Sequence, residues 1–220
     1  MDTRDLIQGG IHALQHARQL LEDSALLASQ KRWSTAFVLG LFAREEIGRY
    51  NLLLTKAKDL HPSGTIAPDA LRALCRIHEL KLALGSGADI PGLIHRICAD
   101  LKAAPSTLVR LSAHVPKDVV EFLTFSPRIV AGSAQRRARE AALYVDATDD
   151  DSWALPSAIA PQDASAVLRL ITADWANTVL RVGGPPLLAP LFETITDVPT
   201  GYDAFALIAK CMPAFQVADA

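Results

Sequence analysis

Along most of this chain the apolar residues recur at intervals of three and four, and the two-residue alternation of a half-buried strand is scarce. Leu6, Ala13, Leu14, Ala17, Leu20, Leu21 and Leu27 gather on one side, which predicts a first helix over about Thr3 to Gln30. A second should run from about Trp33 to Leu60. HPSG at 61–64 reads as a loop, because Pro and Gly both punctuate there. Pro68 opens a new apolar pattern and suits a helix first turn, so a third helix is expected over about Pro68 to Leu84, ended by GSGAD at 85–89. A fourth follows over about Pro91 to Lys102. Pro105, Pro116 and Pro127 divide the middle into shorter helical pieces, and another helix covers about Ala134 to Leu143. YVDATDDDSWALP then reads as a polar, extended surface loop. Residues 163–182 and 203–212 complete the helices, and PPLLAP at 185–190 is too rich in Pro for regular helix. With no internal repeat and no low-complexity tail, the pattern predicts one all-α bundle of long antiparallel helices over residues 1–220, irregular toward its C-terminus.

The second helix breaks its own pattern. Residues 36–54 read AFVLGLFAREEIGRYNLLL, with Arg44, Glu45, Glu46 and Arg49 inside an apolar run. A charge buried without a partner costs several kcal/mol, so the cluster is either a structural ion-pair network that fixes helix register or a site. As a membrane span the run fails, because central charges cost roughly 2.5–3.5 kcal/mol each at a bilayer centre. At about 100° per residue, Glu45 points the same way as Val38, Leu41 and Leu52, with Arg49 about 40° away. Glu45 and Arg49 are therefore expected to form an i,i+4 pair, although Arg49 can also reach Glu46. Gly48, on the same side, costs about 1 kcal/mol relative to Ala in mid-helix and so marks close approach by a neighbouring helix or a ligand.

Composition narrows the setting. Half of the 220 residues are apolar, enough for a sizeable core, and the formal net charge is −2, which supplies no global field toward nucleic acid or anionic membrane. Any RNA contact would need a local patch. Cys75, Cys98 and Cys211 show no CxxC or zinc spacing and read as reduced thiols. MDTRDLIQGG lacks the features of a signal peptide, and a cytoplasmic protein is expected.

Two further features carry candidate chemistry. In ALRALCRIHELKLALG, His78 falls on the apolar face of a continuous helix, amid Leu71, Leu74, Cys75 and Leu82, with Lys81 about 60° to one side. Such a His is either a satisfied core residue or, if the second helix faces it, part of a polar pocket whose members shift one another's pKa values. Arg72 and His78 make an R-x5-H spacing, but lie about 120° apart on a straight helix and could act together only across a break or in a composite site with a second subunit. Arg136, Arg137 and Arg139 make the best local basic patch, either a solvated helix end or a phosphate contact. Tyr144 and Asp146 follow, and would point the same way on extended chain.

Other chemistries find no support. The E-x-x-H element of di-iron bundles, HExxH, a Walker A loop, G-x-G-x-x-G and G-x-S-x-G are all absent. His12 and His16 are i,i+4 but lack a carboxylate at helical spacing, and His61, His95 and His114 form no constellation. No metal and no cofactor is expected.

Three segments resemble elements of the AbiV abortive-infection family, which is grouped with the HEPN domains. AREEIGR at 43–49 is similar to its A-x-E-E-x-G-K element and HELK at 78–81 to its H-x-x-K element. REAALYVD at 139–146, with Trp153 and Pro156 beyond, is similar to its R-x-x-x-L-Y-V-D segment. The resemblance implies an all-helical HEPN-like fold, a homodimer, and a role in phage defence or a toxin system, with a phage-encoded activator as a partner. Many HEPN proteins are metal-independent ribonucleases with an R-x4–6-H motif. The resemblance thus implies RNA as substrate, with Glu45, Glu46, Arg49, His78, Lys81 and Arg72 as catalytic candidates. Arg136, Arg137, Arg139, Tyr144 and Asp146 would bind substrate. A family-like core would span about 3–160 and a C-terminal extension about 161–220. Arg49 stands where the family has Lys, which keeps the charge and alters its geometry. Ala73 follows Arg72 where nuclease members carry a polar residue, which weakens the R-x5-H reading. The alternative is a non-catalytic helical module whose polar cluster is structural or binds a nucleotide or a phage-encoded partner.

Overall fold

Asp2 starts the first helix by reciprocity: its side chain accepts from the Asp5 backbone N–H at 2.9 Å, and the Asp5 carboxylate accepts from the Asp2 N–H at 3.0 Å. This capping box satisfies two of the N–H groups that a helix start leaves open. The computed structural model describes residues 1–85, 146–147, 153–154, 159–182 and 188–217. Helices are numbered here in chain order within those residues. Helix α1 is Thr3–Ser29 and α2 is Trp33–Leu60. Between them the Lys31 N–H donates to Ala28 O and the Arg32 N–H to Leu27 O, both at 2.9 Å, with Lys31 at φ 59°. That is a Schellman end with a lysine in the left-handed position that glycine usually takes. It turns the chain tightly, and α2 returns antiparallel to α1. Ser24 Oγ donates to Ala36 O at 2.7 Å near the turn, and Gly10 lies against Tyr50 near the open end.

The chain continues into α3, Pro68–Cys75, and α4, His78–Leu84. The single third helix expected over 68–84 is thus two helices, broken at Arg76 and Ile77, although neither residue is a helix breaker. Strands β1 (Asp146–Ala147) and β2 (Trp153–Ala154) pair antiparallel, Asp146 opposite Ala154. Helix α5 is Pro161–Val179, α6 is Ala189–Phe192, and α7 is Gly201–Cys211, followed by a 3-10 turn at Pro213–Phe215. The architecture is all-α, as the periodicity predicted; β1 and β2 are the only strands among the described residues. No helix among those residues is long and apolar enough to cross a membrane. The helices expected over 91–102 and 134–143, and the pieces between Pro105 and Pro127, lie outside them.

The core forms where α5 and α7 close over the α1/α2 hairpin. Leu6, Leu14 and Leu21 of α1 meet Leu41 of α2, Leu168, Ile171 and Trp175 of α5, Leu207 of α7 and Phe215, all fully buried. Trp175 Nε1 donates to Leu14 O at 2.8 Å, so the indole reaches a partner despite its burial. A Cβ on Gly40 would stand 2.3 Å from Leu168 Cδ2, so glycine sets how closely α5 rides on α2. Arg44 Nη2, buried, pairs with Asp174 Oδ2 of α5 at 2.9 Å. One of the four charges inside the apolar run therefore faces α5 and holds the bundle together. The other three face elsewhere.

Candidate functional site

Glu45 and Glu46 are neighbours on α2 and serve different partners. His78 Nδ1 lies 2.7 Å from Glu45 Oε2, and Lys81 Nζ lies 3.0 Å from the same oxygen. An ionised carboxylate only accepts, so the His78 Nδ1–H donates, and the ring's other nitrogen, Nε2, is left as an acceptor. The exposures are graded. The Glu45 and Lys81 side chains are 4% and 3% exposed, whereas the His78 side chain is 46% exposed. An imidazole thus stands at the surface on a buried, lysine-anchored carboxylate. Glu46 Oε2 accepts from Arg49 Nη1 at 2.8 Å, one turn further along α2. Arg49 Nε is buried and has no hydrogen-bond partner among the described residues.

The backbone contacts that hold α4 in place explain the sequence. A Cβ on Gly48 would lie 1.7 Å from the Lys81 carbonyl oxygen, so α4 rests directly on the α2 main chain there. Asn51 Nδ2 donates to Leu84 O at 2.7 Å and satisfies a carbonyl that the end of α4 leaves open. Gly85 ends α4, its N–H on Lys81 O at 2.8 Å, and a Cβ there would meet Arg44 O at 2.0 Å. Glycines at both contact points let two main chains touch. His78 and Lys81, at i,i+3 on one side of α4, then both arrive over Glu45.

Burial dominates the electrostatics of Glu46. Desolvation pushes its carboxyl above the usual range, against the opposing charges of Arg49, His16 and Lys81, and Glu45 adds to the rise. Cys75, at the end of α3, is also near: burial raises its thiol, with Arg49 and Lys81 acting against the rise and Glu46 adding to it. The site is thus a small territory of α1, α2, α3 and α4 in which carboxylates, cations and an exposed imidazole converge. It can orient an imidazole at the surface and present the partly exposed Arg49 to an anion. Among the described residues no three His, Cys, Asp or Glu side chains gather as a metal site would require.

The structure brings together Glu45, Glu46, Arg49, His78 and Lys81, and differs from the sequence reading in three respects. Arg49 pairs with Glu46 rather than with Glu45. The helix break at residues 76–77 resets the phase of α4, so Lys81, not His78, is the inward member. Arg72 is exposed and paired with Asp69 on its own helix, apart from the cluster, even though the required break exists. Gly48 does mark a close approach, and the intruder is α4. Arg136, Arg137, Arg139 and Tyr144 lie outside the described residues. Asp146 lies on extended backbone in β1.

His16 is the residue that sequence reasoning passed over. Along its own helix, with His12, it has no carboxylate, but across the hairpin Glu46 lies within its electrostatic range. The signal was present in the turn. A helix reversal centred on residue 31 sets His16 level with residues 44–46.

The family model for HEPN_AbiV, described as AbiV, matches residues 5–174, well over half of the chain, and the match runs through β1, β2 and α5 to Asp174. The chain belongs to that family. No curated protein and no solved structure gives a significant match.

Proposed function

We propose that this AbiV-family HEPN protein is an abortive-infection effector that cleaves RNA without a metal ion. The observation that carries the reading is the half-exposed His78 hydrogen-bonded through Nδ1 to a buried carboxylate that Lys81 anchors. Such a carboxylate fixes the ring's orientation and tautomer and leaves Nε2 facing outward to take a proton. In the proposed step His78 removes the proton of a 2′-hydroxyl, and the 2′-oxygen attacks the adjacent phosphorus. Arg49, whose side chain is 35% exposed, stabilises the charge that develops on the phosphoryl oxygens. Glu45 and Glu46 are positioning residues, holding His78 and Arg49. The basic segment Arg136, Arg137 and Arg139 supplies the strand contacts that a chain of net charge −2 needs locally. A homodimer and a phage-encoded trigger belong to the same reading, as expectations carried by the family.

The test is expression of the wild type and of His78→Ala, with growth and RNA integrity followed together, and then the purified proteins on RNA in EDTA. Wild type is expected to arrest growth and cut RNA, and His78→Ala to lose cleavage by about 10²–10⁴-fold, the usual share of a general base. A His78→Ala protein that remains toxic and cuts RNA overturns the mechanism. The paired state of Glu45 favours a second reading, in which the cluster only locks α4 onto α2. Under it, wild type cuts nothing and Glu45→Ala merely lowers the melting temperature.

A further inference from the structure

Cleavage at a 2′-hydroxyl moves two protons. One leaves the 2′-oxygen as it attacks, and one must reach the departing 5′-oxygen, which is a poor leaving group as an alkoxide. His78 serves one of these and sits on α4. The other side of the cluster is α1. There the hairpin contacts set a register: Ser24 Oγ on Ala36 O near the turn, Gly10 against Tyr50 and Gly9 against Leu53 toward the open end. Interpolated between them, His16 falls level with residues 44–46, on the flank of Glu46. Its side chain is exposed, as is that of His78. The carboxylate of Glu46 lies within the field of groups from three helices: His16 of α1, Arg49 and Glu45 of α2, and Lys81 of α4. The two histidines thus stand on two helices packed against α2, which carries the partly exposed cation Arg49.

We propose that His16 is the second proton-transfer residue of this site, the donor to the departing 5′-oxygen. The inference rests on the ribonuclease reading above. The O2′–H bond breaks and its proton passes to His78 Nε2. The 2′-oxygen forms a bond to phosphorus, the P–O5′ bond breaks, and the leaving oxygen takes its proton from the His16 imidazolium. The products are a 2′,3′-cyclic phosphate and a free 5′-hydroxyl. Water returns a proton to His16 and accepts one from His78, so no oxidant or cofactor is consumed. Glu46, which holds Arg49 and lies within electrostatic range of His16, is the positioning residue.

The experiment compares two probes, a short oligoribonucleotide and uridine 3′-(4-nitrophenyl phosphate), whose nitrophenolate departs without being protonated. Wild type is expected to cleave both. His16→Ala should lower oligoribonucleotide cleavage by about 10²–10³-fold and leave the aryl ester near the wild-type rate. His78→Ala should lower both. As His16 is exposed, the variant should keep the wild-type melting temperature, which is measured alongside. Unchanged cleavage of the oligoribonucleotide by His16→Ala, or an equal loss on both probes, overturns the assignment. Failure of wild type on both probes overturns the ribonuclease reading itself, and so separates the two failures.

Discussion

Charged residues line two seams of the α1/α2 hairpin, one against α7 and one against α4, and folding moves Glu22 and Asp203 of the first and Glu46 of the second in opposite directions. Against α7, Arg18 donates to Glu22 at 3.0 Å and to Asp203 at 2.7 Å, and Lys210 donates to Glu22 at 2.6 Å. Burial pushes Glu22 up, but the hydrogen bonds from Lys210 and Arg18 outweigh it and hold the carboxyl below its usual range. The backbone N–H and hydroxyl of Thr200 hold Asp203 down in the same way, with Arg18 adding to them. Against α4, burial wins, and Glu46 stays above its usual range in spite of Arg49, His16 and Lys81. The first seam satisfies its charges and fastens a helix. The second keeps Glu46 raised by burial despite the cations around it, which is what the proposed site would need.

The sharpest way to break this contrast is to remove one lysine from each seam. Lys81→Met takes the cation from a carboxylate that is 4% exposed and should cost about 3 kcal/mol in a denaturant titration. Lys210→Ala removes a cation that is 60% exposed and should cost no more than about 1 kcal/mol. Equal costs would mean that the α4 seam is no more than another surface network. Gly48→Ala should come next. Its methyl group would drive against the Lys81 carbonyl, and even after the gain in helix propensity the net loss should be about 2 kcal/mol. RNA cleavage should fall with it, because His78 moves with α4, and a variant with both properties intact would show that α4 need not touch α2.

The smallest effect is one of pH. A carboxylate raised by folding binds protons more tightly in the folded chain, so it weakens stability as pH rises through its folded value. A lowered one contributes stability above the usual carboxylate range and loses it as pH falls through the folded value. Wild type should therefore lose ground to Glu46→Gln between about pH 4 and pH 7. It should gain on Glu22→Gln and Asp203→Asn in a different window, as pH rises from about 2 to about 4.5, because those carboxyls are held below the usual range. Denaturation midpoints at the two ends of each window give the signs, and the same sign for both seams would erase the distinction.

Much of this was legible from periodicity. The bounds of α2 follow from where its apolar repeat begins and ends, and α1 differs from its expected span by a single residue at the end. Gly48 read correctly because a glycine in mid-helix is a cost with few explanations. The break at Arg76 and Ile77 was not legible, since neither residue disfavours helix. One turn beyond it the Lys81 carbonyl rests on Gly48, and tertiary contacts of that kind leave no local trace in the sequence around the break. The same break decides which of His78 and Lys81 is buried, so the site's polarity was hidden with it. Arg44 and Asp174, 130 positions apart, could not be paired by any spacing rule.

The hydrogen bond from Trp175 to Leu14 spans 161 positions and so ties the molecule to the order in which it is made. The hairpin of α1 and α2 is local and forms fast, and α4 can dock as soon as residue 85 is free. Gly40 and Arg44 of α2 meet Leu168 and Asp174 of α5, so that packing comes only once α5 has left the ribosome. The polar cluster shared by α2 and α4 would then assemble early and receive its outer support late, when most of the chain has been released from the tunnel.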